Sequence, residues 1–336
     1  MFKKIFTPPL GKGKLSSKDI KLPQIFKTEL VDNRIIIHSP ADLCIYEDKW
    51  SYITYQFLEY IQKVIFEYKI AITINFNELN NLTAAASLLI FAKITKCQIC
   101  VVDPSAIDVI PPKDKDTKRL FSASGLWAGV KPGGISKIRK LIDSNNQYMS
   151  GSNSVIEDYS KVLSATIISL YKQGVNFNRA AIHTFTRGVQ EAILNVNYHA
   201  YNKEALGKQY EELGDSRWWQ CSWLDNGSNQ LVFIIYDDGE GIASSLKEQF
   251  STLPDSEIIE KAMTMGVTRT LDPSRGKGSG NIIRTSCEFS NSHLVVMSGN
   301  GYYRYDQCGV TLKELPFTLE GTVVQWVLNY TGENLK

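Results

Sequence analysis

No stretch of this sequence is long and apolar enough to cross a bilayer. The charge-free apolar segment Leu82–Ala92 falls well short of the ~20 residues a spanning helix needs, so no membrane span is expected. Cysteine is sparse. Six residues (44, 97, 100, 221, 287 and 308) in 336 lack the density of a disulfide scaffold, and they are expected to be reduced thiols in a cytoplasmic protein. Cys97 and Cys100 form a CxxC, but the run Cys97–Val102 reads as a strand, which would send positions three apart to opposite faces and disfavour a shared metal. The segment Met1–Pro9 reaches proline before an apolar core can form, so a secretory leader is not expected. With 11 Pro and 23 Gly the chain is not of low complexity. Neither sign of charge dominates, because 37 basic residues face 35 acidic ones and the net charge is +2. There is no internal repeat. His183 and His293 have no second ligand at metal-binding spacing and read as structural.

What is present is ordinary globular material, 43% hydrophobic and 21% charged. A length of 336 residues, at about 150 per domain, predicts about two domains. Residues 1–28 form a basic arm: seven lysines against the single acid Asp19 give +6, and +2 overall leaves −4 for the remainder. Such an arm reads first as a solvated tail, with nucleic acid, an acidic protein or a membrane surface as alternative partners.

After the arm, Arg34–His38 reads as a strand, Tyr55–Phe66 as a helix, Ala71–Phe76 as a second strand, Leu82–Thr95 as an Ala- and Leu-rich helix, and Cys97–Val102 as a third strand. Strands alternating with helices predict a parallel or mixed sheet. This order, followed by Arg119–Leu126, resembles a STAS domain, the fold of anti-sigma-factor antagonists, over residues 29–130. Phosphorylatable members open the central helix with an Asp-Ser pair. Here the stretch is Thr83-Ala84-Ala85-Ala86, with no serine at that position.

Residues 131–154 concentrate Gly, Ser, Asn and Pro and read as a linker. Beyond them, Val155–Gln173 and Ala181–Tyr198 read as helices and Gln230–Tyr236 as a buried strand. The tracts Trp218-Trp219 with Trp223, and Tyr302-Tyr303 with Tyr305, read as core or strand residues ahead of base-stacking platforms.

Three blocks in this half carry chemistry. Glu191, Asn195 and His199 are spaced i, i+4, i+8 and share one face of a helix. The strand ending at Tyr236 runs into Asp237-Asp238-Gly239-Glu240-Gly241-Ile242, where glycines admit a ligand close to the backbone and an aspartate can accept from an exocyclic amine. The third, Arg275-Gly276-Lys277-Gly278-Ser279-Gly280-Asn281, is a Gly-rich run opening a helix, whose backbone amides can cradle phosphates. It fits neither the Rossmann fingerprint nor the Walker pattern.

With the closing Gly321-Thr322 segment, these blocks resemble the N, G1, G2 and G3 boxes of the GHKL ATPases, the superfamily of gyrase, heat-shock chaperone, histidine kinase and MutL-type proteins. The Glu-x-x-x-Asn-x-x-x-His form is most similar to bacterial anti-sigma-factor kinases. The resemblance covers residues 155–330 and implies a two-layer α/β sandwich with a mixed sheet, so the fold class expected for the whole chain is α/β (α+β). It implies that Asp237 binds the adenine amino group, that Gly239 and Gly241 shape the adenine pocket, that Asn195 holds Mg²⁺ bridging the phosphates, and that Glu191 is the general base. Gly276, Gly278, Gly280 and Asn281 would wrap the phosphates. Residues 263–275 would form a mobile lid that closes over ATP, with Arg269, Arg275 and Lys277 as the lid cations. His199, Ile242, Ser279 and Thr322 complete the ATP-binding set it implies. Ser279 and Asn281 stand where many relatives carry Leu, and no dimerisation helix with a phosphoacceptor histidine precedes the domain, which argues against a sensor kinase.

The function expected from this resemblance is Mg-ATP binding with slow hydrolysis that switches contacts with a protein partner, through the STAS-like domain or the lid. Its rivals are transfer of phosphate to a serine or threonine of a partner, ATP sensing without turnover, and a nucleic-acid-associated ATPase using the basic arm. A homodimer is compatible with any of these.

Overall fold

The computed structural model describes residues 25–101, 103–153, 156–201, 213–225, 227–264 and 278–330. The chain is mixed α/β and divides into two compact units between Met149 and Ser150.

In the first unit, strands β1 (Thr28–Val31) and β2 (Arg34–His38) form an antiparallel hairpin. Its two turn residues, Asp32 and Asn33, have φ of 48° and 61°, the left-handed pair that tight hairpins need and that Asp and Asn tolerate. After the two-residue strand β3 (Asp42–Leu43), helix α1 (Asp48–Lys63) passes into a π turn, Val64–Tyr68, and stops at Lys69 in the left-handed region. Strand β4 (Ala71–Asn75), short strand β5 (Asn81–Leu82), helix α2 (Ala84–Cys100), strand β6 (Ile107–Ile110), and helices α3 (Lys115–Ala123), α4 (Leu126–Val130) and α5 (Ile135–Asp143) follow. The sheet runs β1-β2-β4-β6, with β2, β4 and β6 parallel, and β3 pairs with β5 in a small separate ladder. Thr83 caps α2, its hydroxyl accepting the Ala86 amide at 3.4 Å.

The segment expected as a third strand, Cys97–Val102, is in its described part the last turn of α2 and its cap; the third parallel strand is β6. The cause is burial on all sides. Fifteen of the 17 residues of α2 are buried, so the helix shows no polar face and its apolar end cannot be told from a strand by periodicity. Cys97 and Cys100 therefore share a helical face. Both are buried and free, as are Cys44 and Cys221, while Cys287 and Cys308 are free and exposed. Among the described residues no group of three His, Cys, Asp or Glu side chains could hold a metal.

Residues 131–154, expected as a linker, contain α5 and strand β7 (Tyr148–Ser152), every residue of which is buried. The second unit continues with α6 (Ile156–Lys172) and α7 (Arg179–Asn195), which runs into a π turn, Val196–Ala200. Next come β8 (Arg217–Asp225), β9 (Gln230–Asp237), α8 (Ile242–Leu246), α9 (Asp255–Met263), α10 (Gly278–Cys287), β10 (His293–Asp306) and β11 (Gly309–Asn329). The sheet order is β10-β11-β9-β8-β7, and the pairs β8/β9, β9/β11 and β10/β11 are antiparallel.

Helices pack on this sheet through named contacts. Gln220 Nε2 donates to Thr166 Oγ1 of α6 at 2.6 Å, the Phe185 ring of α7 lies 5.1 Å from Phe233, and Trp326 Nε1 donates to the Ile282 carbonyl of α10 at 2.9 Å. Trp218, Trp219, Trp326 and Tyr236 are wholly buried, so the tryptophan pair belongs to the core. At Gly188 helices α7 and α10 come so close that a Cβ would lie 2.1 Å from Thr285 Oγ1.

Candidate functional site

Described residues of the second unit line a cavity of about 400 Å³ that is open to solvent on one side, within the range of small-molecule sites. Its floor is set by strand register. Ile235 of β9 pairs with Val324 of β11, which pairs with Val296 of β10. This apolar row crosses three strands and lines the cavity. Two residues along, on the same face, a polar row runs Asp237–Thr322–Ser298. A flat ring laid on the first row would have the second at its edge.

Asp237 is 5% exposed. Burial is the main force on its carboxyl and pushes the pKa up to about 7; the nearby Asp238 adds to the rise, while the Gly239 amide and the Thr322 hydroxyl and amide oppose it. Gly239 N donates to Asp237 Oδ1 at 3.0 Å. A buried carboxyl poised in this way suits a ligand that donates a hydrogen bond and settles its charge.

The turn after Asp237 is held from two sides. Gly241 has φ of 82°, and a Cβ there would lie 2.6 Å from Ser298 Oγ. Gly239 lies against the end of the π turn, where a Cβ would stand 2.0 Å from the Ala200 carbonyl, and Glu240 N donates to that same carbonyl at 2.6 Å. Ser298 Oγ in turn donates to the Gly321 carbonyl at 3.0 Å. The Gly-rich turn, the π turn and the β10–β11 pair thus form one assembly around Asp237.

Behind the turn lies a buried polar network. Tyr236 Oη donates to Asp238 Oδ1 at 2.5 Å, Asp238 N donates to Tyr201 Oη at 3.2 Å, and Tyr201 Oη donates to the Arg217 carbonyl at 2.6 Å. Burial, then the charges of Asp237 and Asp238, hold the Tyr201 phenol well above its ordinary pKa, so it stays a neutral donor.

Helix α7 supplies the opposite wall. Glu191 and Asn195 line the cavity, and His199 joins them from the π turn, a feature that often marks functional sites. Asn281 Nδ2 of α10 donates to Glu191 Oε1 at 3.0 Å. The start of α10 contributes Gly278 and Ser279 to the lining, and Ile242 of α8 completes the apolar rim.

Of the residues singled out in the sequence, Glu191, Asn195, His199, Asp237, Gly241, Ile242, Gly278, Ser279 and Thr322 line this cavity. Gly239 supports the turn and Asn281 binds Glu191 instead of lining the space; Gly280 lies in the first turn of α10. Arg269, Arg275, Gly276 and Lys277 lie outside the described residues, as do residues 1–24 of the basic arm. Sequence reasoning missed the floor residues Ile235, Val296 and Val324, the lock residue Ser298, and Tyr201. The alternation within each strand was readable, but pairing between strands far apart in the chain was not. No protein-family model matches the chain, and no curated protein matches it.

Proposed function

We propose that the second unit is an ATP-binding domain of the GHKL kind, and that the chain is a regulatory ATPase whose nucleotide state changes its contacts with a protein partner. One observation carries this reading: residues from four separate blocks of sequence, Glu191 with Asn195, Asp237 with Gly241, Gly278, and Thr322, line a single cavity. An adenine ring fits the apolar row Ile235–Val324–Val296, with its exocyclic amine donating to Asp237. The phosphates then extend toward the start of α10, whose first amides are free of intrahelical partners and favour an anion.

Glu191 takes the proton of an attacking water as the oxygen–phosphorus bond forms. The bond from the γ-phosphorus to the bridging oxygen breaks, its electron pair leaves with ADP, and inorganic phosphate is the second product. Asn195 is exposed on the cavity wall, and its amide oxygen would hold Mg²⁺. That thin donor set fits an ion that arrives on the phosphates with its own waters, since Mg²⁺ is commonly held by few protein oxygens plus substrate. When bound, it offsets phosphate charge.

The first unit supports a companion reading as a STAS-like docking module. Its antiparallel hairpin leads into parallel strands, and a capped helix opens at Thr83. A protein partner docking there, or on a nucleotide-dependent lid, is the expected receiver of the switch.

The test is calorimetric titration with Mg-ATP alongside phosphate release, for the wild type, Asp237→Asn and Glu191→Ala. Loss of binding in the first variant, with binding kept and release lost in the second, is the expected pattern. A wild type that binds no ATP removes the reading. One that binds without releasing phosphate redirects it to phosphate transfer onto a partner, or to nucleotide sensing.

A further inference from the structure

Glu191 is held from two directions by the helix that begins at Gly278. Asn281, in the first turn of α10, donates its side-chain amide to Glu191 Oε1 at 3.0 Å. The other carboxylate oxygen packs against Gly278, where a Cβ would lie 2.7 Å from Oε2. One turn further on, the single hydroxyl proton of Thr285 is shared between the Asn281 carbonyl at 3.0 Å and the Thr184 carbonyl at 3.3 Å, above the close approach at Gly188. Helices α7 and α10 are thereby joined by a short polar seam. Its cavity end is the Asn281–Glu191 bond.

Resting on the ATPase reading above, we propose that Asn281 is a positioning residue: it fixes the Glu191 carboxylate on the cavity wall and ties it to the same helix start that receives the phosphates. A carboxylate free to rotate about its side-chain torsions meets an attacking water in few of its orientations. One with an oxygen anchored by a neutral donor keeps the other directed along a single line, and holding reactive groups in geometry lowers the barrier without tightening substrate binding. Leu at this position would remove the anchor while filling similar space. Asn281 therefore acts through Glu191, and its loss shows in turnover more than in affinity.

The experiment uses the full chain and two substitutions, Asn281→Leu and the isosteric Asn281→Asp, each checked for folding by thermal melting. Calorimetry gives Kd for Mg-ATP, and steady-state phosphate release gives kcat and KM. The expected result is a tenfold or greater fall in kcat in both variants, with Kd and KM in Asn281→Leu, which adds no charge beside the phosphates, within about threefold of the wild type. In the ligand-free protein, the Asn281 side-chain amide resonances are expected to shift in Glu191→Gln, which reports the bond without any turnover. Unchanged kcat in a folded variant, a loss confined to KM, or amide resonances indifferent to Glu191→Gln overturns the inference. A wild type that binds Mg-ATP without releasing phosphate also overturns it while leaving nucleotide binding intact. Failure of the wild type to bind overturns the underlying reading instead.

Discussion

A methyl group added at Gly188 would meet Thr285 Oγ1 at 2.1 Å, inside any real contact distance. Thr285 is fully buried and its hydroxyl is already committed to two carbonyls, so it has little room to yield. The separation of α7 and α10, and with it the width of the cavity between Glu191 and Gly278, depends on the absence of a side chain at this point.

Gly188→Ala is therefore expected to lower stability by about 1–3 kcal/mol through overpacking, although alanine is the better helix former. Urea denaturation checks this, with the exposed neighbour Arg187→Ala as the control expected to stay within about 0.5 kcal/mol. Equal midpoints for Gly188→Ala and the control would mean that the helices separate at no cost.

Asp237 makes stability depend on pH. Its carboxyl is raised from 3.8 to about 7 in the folded protein, so between those values the native state binds more protons than the unfolded one. The contribution is fully present below about 3.8 and is lost as the pH rises through about 7, with an upper bound of about 4 kcal/mol. Denaturation midpoints measured from pH 5 to 8 are expected to fall with rising pH. Asp237→Asn, which cannot ionise, flattens that part of the slope. An Asn variant with the wild-type slope assigns the titration elsewhere.

If Mg-ATP binds as proposed, the same group would link protons to nucleotide. An amine donating to Asp237 favours the ionised carboxylate, so Mg-ATP binding near pH 6.5 is expected to expel protons. Affinity then weakens by up to about tenfold per pH unit below 7. Calorimetry in two buffers of different ionisation enthalpy reads the released protons directly. Binding heats identical in both buffers would separate Asp237 from the ligand.

Val324, 9% exposed in the middle of the apolar row, is the place to close the cavity. Val324→Phe is expected to weaken Mg-ATP binding by at least thirtyfold, because the ring occupies the floor on which adenine would lie. Circular dichroism and thermal melting establish that the variant folds. Undiminished affinity in a folded variant would relocate the ligand to another part of the protein.

Much of the second unit was legible because its elements are locally patterned. The i, i+4, i+8 spacing put Glu191, Asn195 and His199 on one wall, even though His199 sits in a π turn and not in the regular helix. The turn after Asp237 was readable from its glycines. The apolar row was not, because Ile235, Val324 and Val296 become neighbours only through strand register, which distant strands do not announce. The resemblance groups Asn281 with the phosphate-wrapping residues, whereas its bond to Glu191 depends on helix packing across the unit. In the first unit, the all-round burial of α2 erased the polar face that would have marked Cys97 and Cys100 as helical.

The cross-strand rows also bear on the order in which the second unit folds. Strands β10 and β11 meet through the short turn between Asp306 and Gly309 and can zip from that end. The pairing of β11 with β9 closes a far larger loop and must pay that entropy before any contact rewards it. Asp237 and Thr322 face each other only when β9 and β11 are paired. A chain with its hairpin formed but β11 undocked would carry the separate motifs without the apolar row that floors the cavity, so if Mg-ATP binds as proposed, recovery of its binding during refolding would mark completion of the central sheet.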